Sequence, residues 1–201
     1  VRHSLKDWYE SCPNIKFYAY SEFPQDRFLL YSIEQGILDK KFVVGKEQAE
    51  RIEIELYTLK VVSDSLGQRM SAYLNLVKEI IDIAWEVTFV GVSRGSAMSF
   101  LINYLIGITQ ANPMVYNVPY WRFMNIESGA TLPDIDCDFS NDKAPELMEA
   151  LRQHYGYDCV LNTLTYKRES LKSAILTACR GLDIPVDEAQ PLSAMVPMSR
   201  G

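Results

Sequence analysis

Residues 132–139 read Leu132-Pro133-Asp134-Ile135-Asp136-Cys137-Asp138-Phe139, and this stretch decides the predicted fold. Acidic and apolar side chains alternate along it with a period of two, which is the period of a β-strand. Residues i and i+2 of a strand lie on the same face. The three aspartates therefore share one face, while Ile135, Cys137 and Phe139 point the other way into a core. We predict a strand over 135–139.

The aspartates of this strand are candidate metal ligands. Like charges spaced roughly 7 Å apart along a backbone repel one another, so a further partner makes the arrangement favourable. Mg²⁺ prefers a few carboxylate oxygens combined with substrate phosphates. A pair of such ions stabilises both the attacking and the leaving oxygen of an in-line phosphoryl displacement. The alternative is a solvent-exposed edge strand with an acidic outer face.

The segments around this strand predict alternating strands and helices. Val87-Thr88-Phe89-Val90 is short, apolar and β-branched, which is typical of a buried strand. A turn and an apolar helix over about 97–106 follow it. A helix begins at the capping residues 140–142 and runs to about 155, a third strand is predicted over 159–164, and a further helix over about 168–180.

The first 85 residues show a helical pattern instead. From Lys46 to Leu66 apolar residues recur three or four positions apart, which indicates one long amphipathic helix, and Gly67 is expected to cap it. Two shorter helices are predicted over about 24–36 and 70–84. The predicted fold class is therefore α/β (α+β), with a helical part over 1–85 and an α/β core over 86–201.

The turn Arg94-Gly95-Ser96 lies between the first predicted strand and an apolar helix. Glycine permits close backbone approach to a ligand, serine offers a hydroxyl group, and a helix N-terminus supplies free N–H groups. The guanidinium group of Arg94 can bind phosphate in a bidentate manner. The spacing is that of neither a Walker A loop nor G-x-G-x-x-G. The alternative is an ordinary turn without a ligand.

Composition excludes several classes of protein. The 201 residues carry a net charge of −6, which argues against a freestanding, indiscriminate nucleic-acid binder. The four cysteines lie far apart, which argues against a structural zinc site. His3 and His154 are expected to be incidental. We see no secretory signal and no apolar run of the roughly 20 residues that a membrane span needs.

A strand, a Gly-Ser turn into a helix and a second strand with paired acids resemble polymerase-beta-type nucleotidyltransferases. The sequence resembles more specifically the bacterial DNA polymerase III alpha subunit, a C-family replicative polymerase. Residues 92–109 look like its G-R-G-S-A…Y-x-L-x-I-T block, and residues 51–56 look like its R-L-x-x-E-L helix. Its D-P, E-R-F-L-N, P-D-x-D-x-D-F and K-Y-G-x-x-x-V motifs are similar to residues 112–113, 122–125, 133–139 and 155–160. The similarity covers about residues 24–197.

In that family this segment is the palm. The resemblance therefore implies a polymerase-beta-like nucleotidyltransferase palm with a helical N-terminal part, which transfers nucleotides to a primer 3′-hydroxyl group on a template. It implies that Asp134 and Asp136 are the catalytic acids that bind two Mg²⁺ ions, with Asp138 as a further candidate ligand. It also implies that the dNTP triphosphate contacts Gly95, Ser96, Arg94 and Arg122, and that DNA contacts Lys172 and Arg180.

The sequence also departs from the family. Thr165-Tyr166-Lys167-Arg168 replaces the T-F-G-T motif, and Leu176 stands at the first basic position of I-R-D-V-G-R. The third catalytic aspartate, the fingers and the thumb of the family have no match in this chain. We therefore expect the isolated chain to be inactive. We expect it to act in the cytoplasm with the remaining polymerase domains or a split-subunit partner, primer-template DNA, dNTP and other replisome subunits.

Two other hypotheses stay open at the level of sequence. The first is a diverged, non-catalytic module that retains the palm as a scaffold in a replication complex. The altered residues 165–168 and the missing third acid favour this hypothesis. The second is a small nucleotidyltransferase with a different acceptor, which the helical residues upstream of the turn fit poorly.

Overall fold

α-Helices form the regular structure of the parts of the chain that the computed structural model describes, which are residues 4–92, 94–128, 132–166 and 169–196. The chain divides into two units, Val1–Val160 and Leu161–Gly201. The first unit contains α1 (Pro13–Tyr20), α2 (Pro24–Asp39), α3 (Lys46–Leu66), α4 (Met70–Val87), α5 (Leu101–Leu105) and α6 (Ala144–Tyr155). Its short 3-10 helices are Leu5–Trp8, Gly95–Ser99, Tyr120–Arg122, Ile126–Ser128 and Asn141–Lys143.

Helix α3 has the bounds that the sequence predicts. Its apolar positions Ile52, Leu56, Leu59 and Val62 are buried, so one face of the helix packs into the core. The helix ends at Gly67, which has a φ of 64° and adopts the left-handed conformation expected of a capping glycine. The amphipathic period and the terminal glycine together determine this element.

Helix α1 depends on α3 for its N-terminal cap. No side chain of its own caps it. The backbone N–H groups of Asn14 and Ile15 instead donate hydrogen bonds to the carboxylate of Glu53, each at 2.9 Å. A carboxylate at this end also interacts favourably with the helix dipole. Glu53 therefore fixes the start of α1 against the middle of α3.

Helix α2 packs directly on α5 because of Gly36. A Cβ atom at this position would lie 1.8 Å from the carbonyl oxygen of Leu105. No side chain fits into that space, so only glycine allows the two helices to approach so closely.

The main core of the first unit lies among α1–α5. Its fully buried members include Tyr18, Leu29, Ile33, Ile52 and Phe100. A second, smaller cluster lies where α6 packs on α4, and it consists of Ile81, Ala84, Val90 and Leu147. Residues between the two clusters are thereby held on both sides.

A buried ion pair connects the beginnings of α2 and α4. Arg69 donates to Asp26 at 2.7 Å, and the Asp26 carboxylate also accepts hydrogen bonds from Ser21 and Ser71. The Asp26 side chain is fully buried, and that of Arg69 is 15% exposed. These hydrogen bonds satisfy a charge that would otherwise be costly to bury.

The predicted α/β (α+β) fold is wrong, and with it the polymerase-beta-like nucleotidyltransferase palm. The described residues form helices and connecting segments, and they contain no β-strand. Their only β-pairing is a single antiparallel bridge between Val90 and Phe139. Val87 belongs to α4, and Phe89 is 82% exposed, so the 87–90 run is not a buried strand. The predicted strand over 159–164 is absent too, and Leu161 and Leu164 are exposed.

The predicted helix over 97–106 is divided into two elements. The 3-10 helix Gly95–Ser99 ends at Phe100, whose φ of −91° and ψ of 127° are extended, and α5 begins immediately afterwards. The N–H groups at the start of α5 donate to a buried carboxylate from α3 that is described below. A tertiary contact therefore sets a helix start that local sequence does not reveal.

The second unit contains α7 (Leu171–Gly181) and α8 (Val186–Ala194), which pack on each other. Cys179 and Ala189 are buried, and the Ser193 hydroxyl group donates to the carbonyl oxygen of Lys172 at 3.1 Å. The predicted division of the chain at residue 85 stays a prediction. Among the described residues, no helix is both long enough and apolar enough to cross a membrane.

Candidate functional site

The acidic segment 132–139 forms no regular strand, but the exposure of its side chains alternates as predicted. Asp134, Asp136 and Asp138 are exposed, whereas the residues between them are half-buried. Ile135 packs on the main core, and Cys137 and Phe139 pack on the smaller cluster. Packing of alternate residues therefore leaves the three carboxylates exposed without any β-sheet among the described residues.

Two backbone contacts hold this segment in place. The hydroxyl group of Tyr73 on α4 donates to the carbonyl oxygen of Pro133 at 2.7 Å. At the other end, the N–H group of Gly91 donates to the carbonyl oxygen of Asp138 at 2.8 Å. A Cβ atom at Gly91 would lie 2.9 Å from the Cβ atom of Asp138, so the close approach depends on the glycine.

The acids also affect two neighbouring groups. Burial raises the pKa of the Tyr73 hydroxyl group, and the charge of Asp134 adds to that effect. Burial raises the pKa of the Cys137 thiol, and the charges of Asp136 and Asp138 raise it further. Cys137 therefore stays a protonated thiol at neutral pH, which is the opposite of an activated nucleophile.

The Gly95-Ser96 turn lies directly beside Asp136. Gly95 has a φ of 65°, and a Cβ atom built on it would lie 3.1 Å from Oδ2 of Asp136. The turn is the start of the 3-10 helix Gly95–Ser99. Gly95 and Asp136, which are about 40 positions apart in the sequence, therefore lie next to each other.

The predicted anion site at a helix N-terminus is not formed as expected. The helix after the turn, α5, is only five residues long. Its first N–H groups, from Leu101 and Ile102, already donate to the carboxylate of Glu55 at 2.8 and 2.9 Å. Any anion at this place would therefore contact the 3-10 turn and its side chains, not the end of α5.

Arg94 directly precedes the turn in the sequence, and Arg122 belongs to a second turn that packs against it. The guanidinium group of Arg94 is 3.3 Å from the carboxylate of Asp138, and both side chains are exposed. Arg122 is also exposed, on the 3-10 helix Tyr120–Arg122, which packs against Gly95–Ser99. The rings of Phe100 and Phe123 join these two turns with 4.8 Å between their centroids.

Lys172 and Arg180 belong to α7 of the second unit. Lys172 is half-buried and Arg180 is exposed. Lys167 and Arg168, which the sequence places in the same basic group, lie outside the described residues. The role of these residues in DNA binding stays a prediction.

The three aspartates do not converge on one point. In the described ranges, no group of three or more His, Cys, Asp or Glu side chains is arranged to hold a metal ion. All three side chains are exposed, and Asp138 also pairs with Arg94, so Asp134 and Asp136 are the first candidates for a metal ion. Two carboxylates are a sufficient protein contribution for Mg²⁺ when substrate phosphates and water complete the coordination. The donor set therefore fits this ion.

Sequence reasoning missed the structural role of two charged residues on α3. Arg51 and Glu55 form a buried ion pair with 2.6 Å between Nε and Oε1, and the Glu55 side chain is fully buried. Burial raises the pKa of Glu55 to about 7, against the opposing effect of Arg51. A signal was present, because Glu55 is three residues from Ile52 and therefore interrupts the apolar face of the helix.

Comparison with known proteins identifies the family. A family model described as the bacterial DNA polymerase III alpha NTPase domain matches residues 29–201. The Probable DNA polymerase YorL of Bacillus subtilis (strain 168) is 41% identical over 213 residues, which cover 100% of this chain and 16% of that protein. The DNA-directed DNA polymerase of Bacillus phage SPbeta has the same identity and coverage.

More distant relatives agree. The DNA polymerase III subunit alpha of Campylobacter jejuni is 31% identical, over 76% of this chain and 12% of that protein. The chain thus spans 16% or less of the length of these relatives. The matches confirm the resemblance on which the sequence-based prediction relied. The chain belongs to the bacterial DNA polymerase III alpha NTPase domain family.

Proposed function

We propose that this chain is part of a bacterial DNA polymerase III alpha-type enzyme and binds dNTP and two Mg²⁺ ions for template-directed nucleotidyl transfer. The acceptor is a primer 3′-hydroxyl group. The observation that carries the proposal is the adjacency of Asp136 and Gly95, because it brings an exposed carboxylate next to a glycine backbone that carries no side chain. Metal-bound phosphate needs both kinds of group.

The proposed metal ligands are Asp134 and Asp136, with Asp138 as a tentative third. Mg²⁺ bound to these carboxylates would stabilise negative charge on the attacking and leaving oxygens. The half-buried residues between the aspartates pack on the two apolar clusters and fix the segment, so the carboxylates would be held in place before substrate arrives. This preorganisation lowers the cost of assembling the site.

The proposed triphosphate contacts are the backbone at Gly95, the hydroxyl group of Ser96, and the guanidinium groups of Arg94 and Arg122. Guanidinium groups bind phosphate oxygens in a bidentate manner. Arg94 would exchange Asp138 for phosphate, and the loss of an exposed ion pair costs only about 0–1 kcal/mol. Asp138 would then be available to a metal ion.

The proposed partners are primer-template DNA, dNTP, the remaining polymerase domains or a split-subunit partner, and other replisome subunits, in the cytoplasm. Lys172 and Arg180 are the proposed phosphate contacts to DNA. By itself the 201-residue chain is expected not to extend primers, since the described residues supply only part of a catalytic carboxylate set.

A primer-extension assay on the complete polymerase tests this proposal. Asp134→Ala and Asp136→Ala are each expected to lower incorporation about 10³-fold or more, because a lost metal ligand removes several kcal/mol of transition-state stabilisation. Asp158→Ala is the matched control, since it removes an exposed acid of the same unit. Near-normal incorporation by the two site variants would reject the assignment.

The second candidate function is a non-catalytic scaffold module. The absence of a converged three-ligand metal group from the described residues favours it. Titration of the complete polymerase with Mn²⁺ in the presence of dNTP distinguishes the two candidates. Binding that Asp136→Ala abolishes supports the polymerase function, whereas wild-type protein that binds no divalent ion supports the scaffold.

A further inference from the structure

Arg51 on α3 connects three separate segments of the chain. Its Nε atom donates to Glu55 at 2.6 Å, and its Nη2 atom donates to the carbonyl oxygens of Ser99 at 2.6 Å and Val118 at 2.9 Å. Its guanidinium carbon also lies 5.7 Å from the ring centroid of Tyr120, within the range of a cation–π contact. One side chain therefore binds residues 48 and 67 positions away in sequence.

Glu55 completes this arrangement from the same helix. Its carboxylate accepts the N–H groups of Leu101 and Ile102 and thereby caps the start of α5. These residues follow the 3-10 helix Gly95–Ser99 directly. Arg51 thus holds the last residue of that turn, and Glu55 holds the helix that comes after it.

From these contacts we infer that Arg51 and Glu55 are positioning residues that set the distance between the two turns carrying the proposed triphosphate contacts. The inference rests on the proposed function. One turn begins at Gly95 and ends at Ser99, and the other follows Val118 and ends at Arg122. The side chains of the pair are 16% and 0% exposed, so they would act through the turns that they hold.

The chemistry of the pair fits positioning better than stabilisation alone. A buried ion pair contributes little net stability compared with an apolar pair of the same shape. An apolar pair, however, cannot bind two carbonyl oxygens and two N–H groups at once. The planar guanidinium group has several donors in a fixed geometry, which the point charge of a lysine lacks.

The matched control is the other buried arginine–carboxylate pair. Arg69 and Asp26 have the same burial, with side-chain exposures of 15% and 0% against 16% and 0% for Arg51 and Glu55. They join α2 to α4, and the Asp26 carboxylate also accepts hydrogen bonds from Ser21 and Ser71. A variant of Arg69 therefore measures the effect of losing a buried pair without disturbing the proposed site.

The experiment uses the complete polymerase with Arg51→Met, Arg51→Lys, Glu55→Gln and Arg69→Met. The thermal midpoint and the kcat and KM for dNTP are measured for each. Arg51→Met is expected to lower kcat/KM about ten- to hundredfold, the range that follows from misplacing binding groups by up to about 1 Å. Arg69→Met is expected to lower the thermal midpoint while leaving kcat/KM near the wild-type value.

Arg51→Lys keeps a positive charge beside Glu55 but not the planar arrangement of donors. We expect it to recover most of the thermal midpoint and little of kcat/KM, and it also carries the test if Arg51→Met does not fold. The inference is overturned if the thermal midpoint and kcat/KM of Arg51→Lys are both close to the wild-type values. It is equally overturned if Arg51→Met and Arg69→Met lower kcat/KM to the same extent.

The same assay separates this inference from the proposed function. If Asp136→Ala incorporates dNTP normally, the proposed function fails, and the positioning inference fails with it. If Asp136→Ala is inactive but the Arg51 variants behave like the Arg69 variant, only the positioning inference fails.

Discussion

Replacing Gly95 by alanine tests whether the Gly95 backbone and the Asp136 carboxylate lie in direct contact. The φ of 65° places this residue in the left-handed region, where a Cβ atom costs about 1–2 kcal/mol. The added methyl group would also lie 3.1 Å from Oδ2 of Asp136, which is closer than ordinary van der Waals contact. The carboxylate must therefore move by a few tenths of an ångström.

The expected result has two parts. The free energy of unfolding falls by about 1–2 kcal/mol because of the backbone conformation. Incorporation of dNTP by the complete polymerase falls by about tenfold, since a shift of 1 Å in a catalytic group costs on the order of 10²-fold. Thermal or denaturant unfolding measures the first quantity, and single-turnover primer extension measures the second.

Gly67→Ala is the control that separates these two effects. Gly67 has nearly the same φ, 64°, but no atom lies within 4 Å of a Cβ atom built there. The Gly67→Ala variant is expected to lose a similar free energy of unfolding and to incorporate dNTP at the wild-type rate. If Gly95→Ala also incorporates dNTP at the wild-type rate, the turn does not constrain Asp136 and the reasoning is refuted.

Three further predictions concern stability. Gly36→Ala is expected to lower the free energy of unfolding by about 3 kcal/mol or more, because its Cβ atom would overlap the carbonyl oxygen of Leu105; a denaturant midpoint near that of the wild type would contradict this packing. Burial raises the pKa of Glu55 to about 7. The stability that protonated Glu55 contributes is therefore fully present below about pH 4.5, and it is lost as pH rises through 7. Glu55→Gln should therefore flatten the decrease in unfolding free energy between pH 5 and 8, and an unchanged slope would disprove the shift. The side chains of Arg94 and Asp138 are 65% and 58% exposed, so a double-mutant cycle should give a coupling free energy of about 0.2–1 kcal/mol that decreases with added salt. A coupling free energy above about 2 kcal/mol would contradict a solvent-exposed ion pair.

Helices were predictable where a long periodic pattern ended in a clear stop signal. The bounds of α3 follow from its apolar period and from Gly67. The run 87–90 gave no such signal, because a short apolar stretch fits a strand and the last turn of a helix equally well. Val87 completes α4, and Phe89 is exposed in a structure whose described residues contain no sheet.

The candidate site was partly predictable for a similar reason. Alternation along 134–139 correctly predicted which side chains are exposed, because that property depends only on local geometry. A sheet requires partner strands, and alternation carries no information about them. The interruption of the apolar face by Glu55 was visible in the sequence, but the partners that Arg51 and Glu55 bind outside α3 were not, because those partners lie about 45 to 67 residues away and are determined by the packing of the whole unit.

The caps that α3 provides have a consequence for the order of folding. Neither α1 nor α5 has a side-chain cap of its own, and each receives a carboxylate from α3, from Glu53 and Glu55 respectively. Isolated helices of eight and five residues are too short to persist in water. Both helices therefore gain their stability only after α3 is present, and α3 is expected to belong to the folding nucleus, with α1 and α5 joining late.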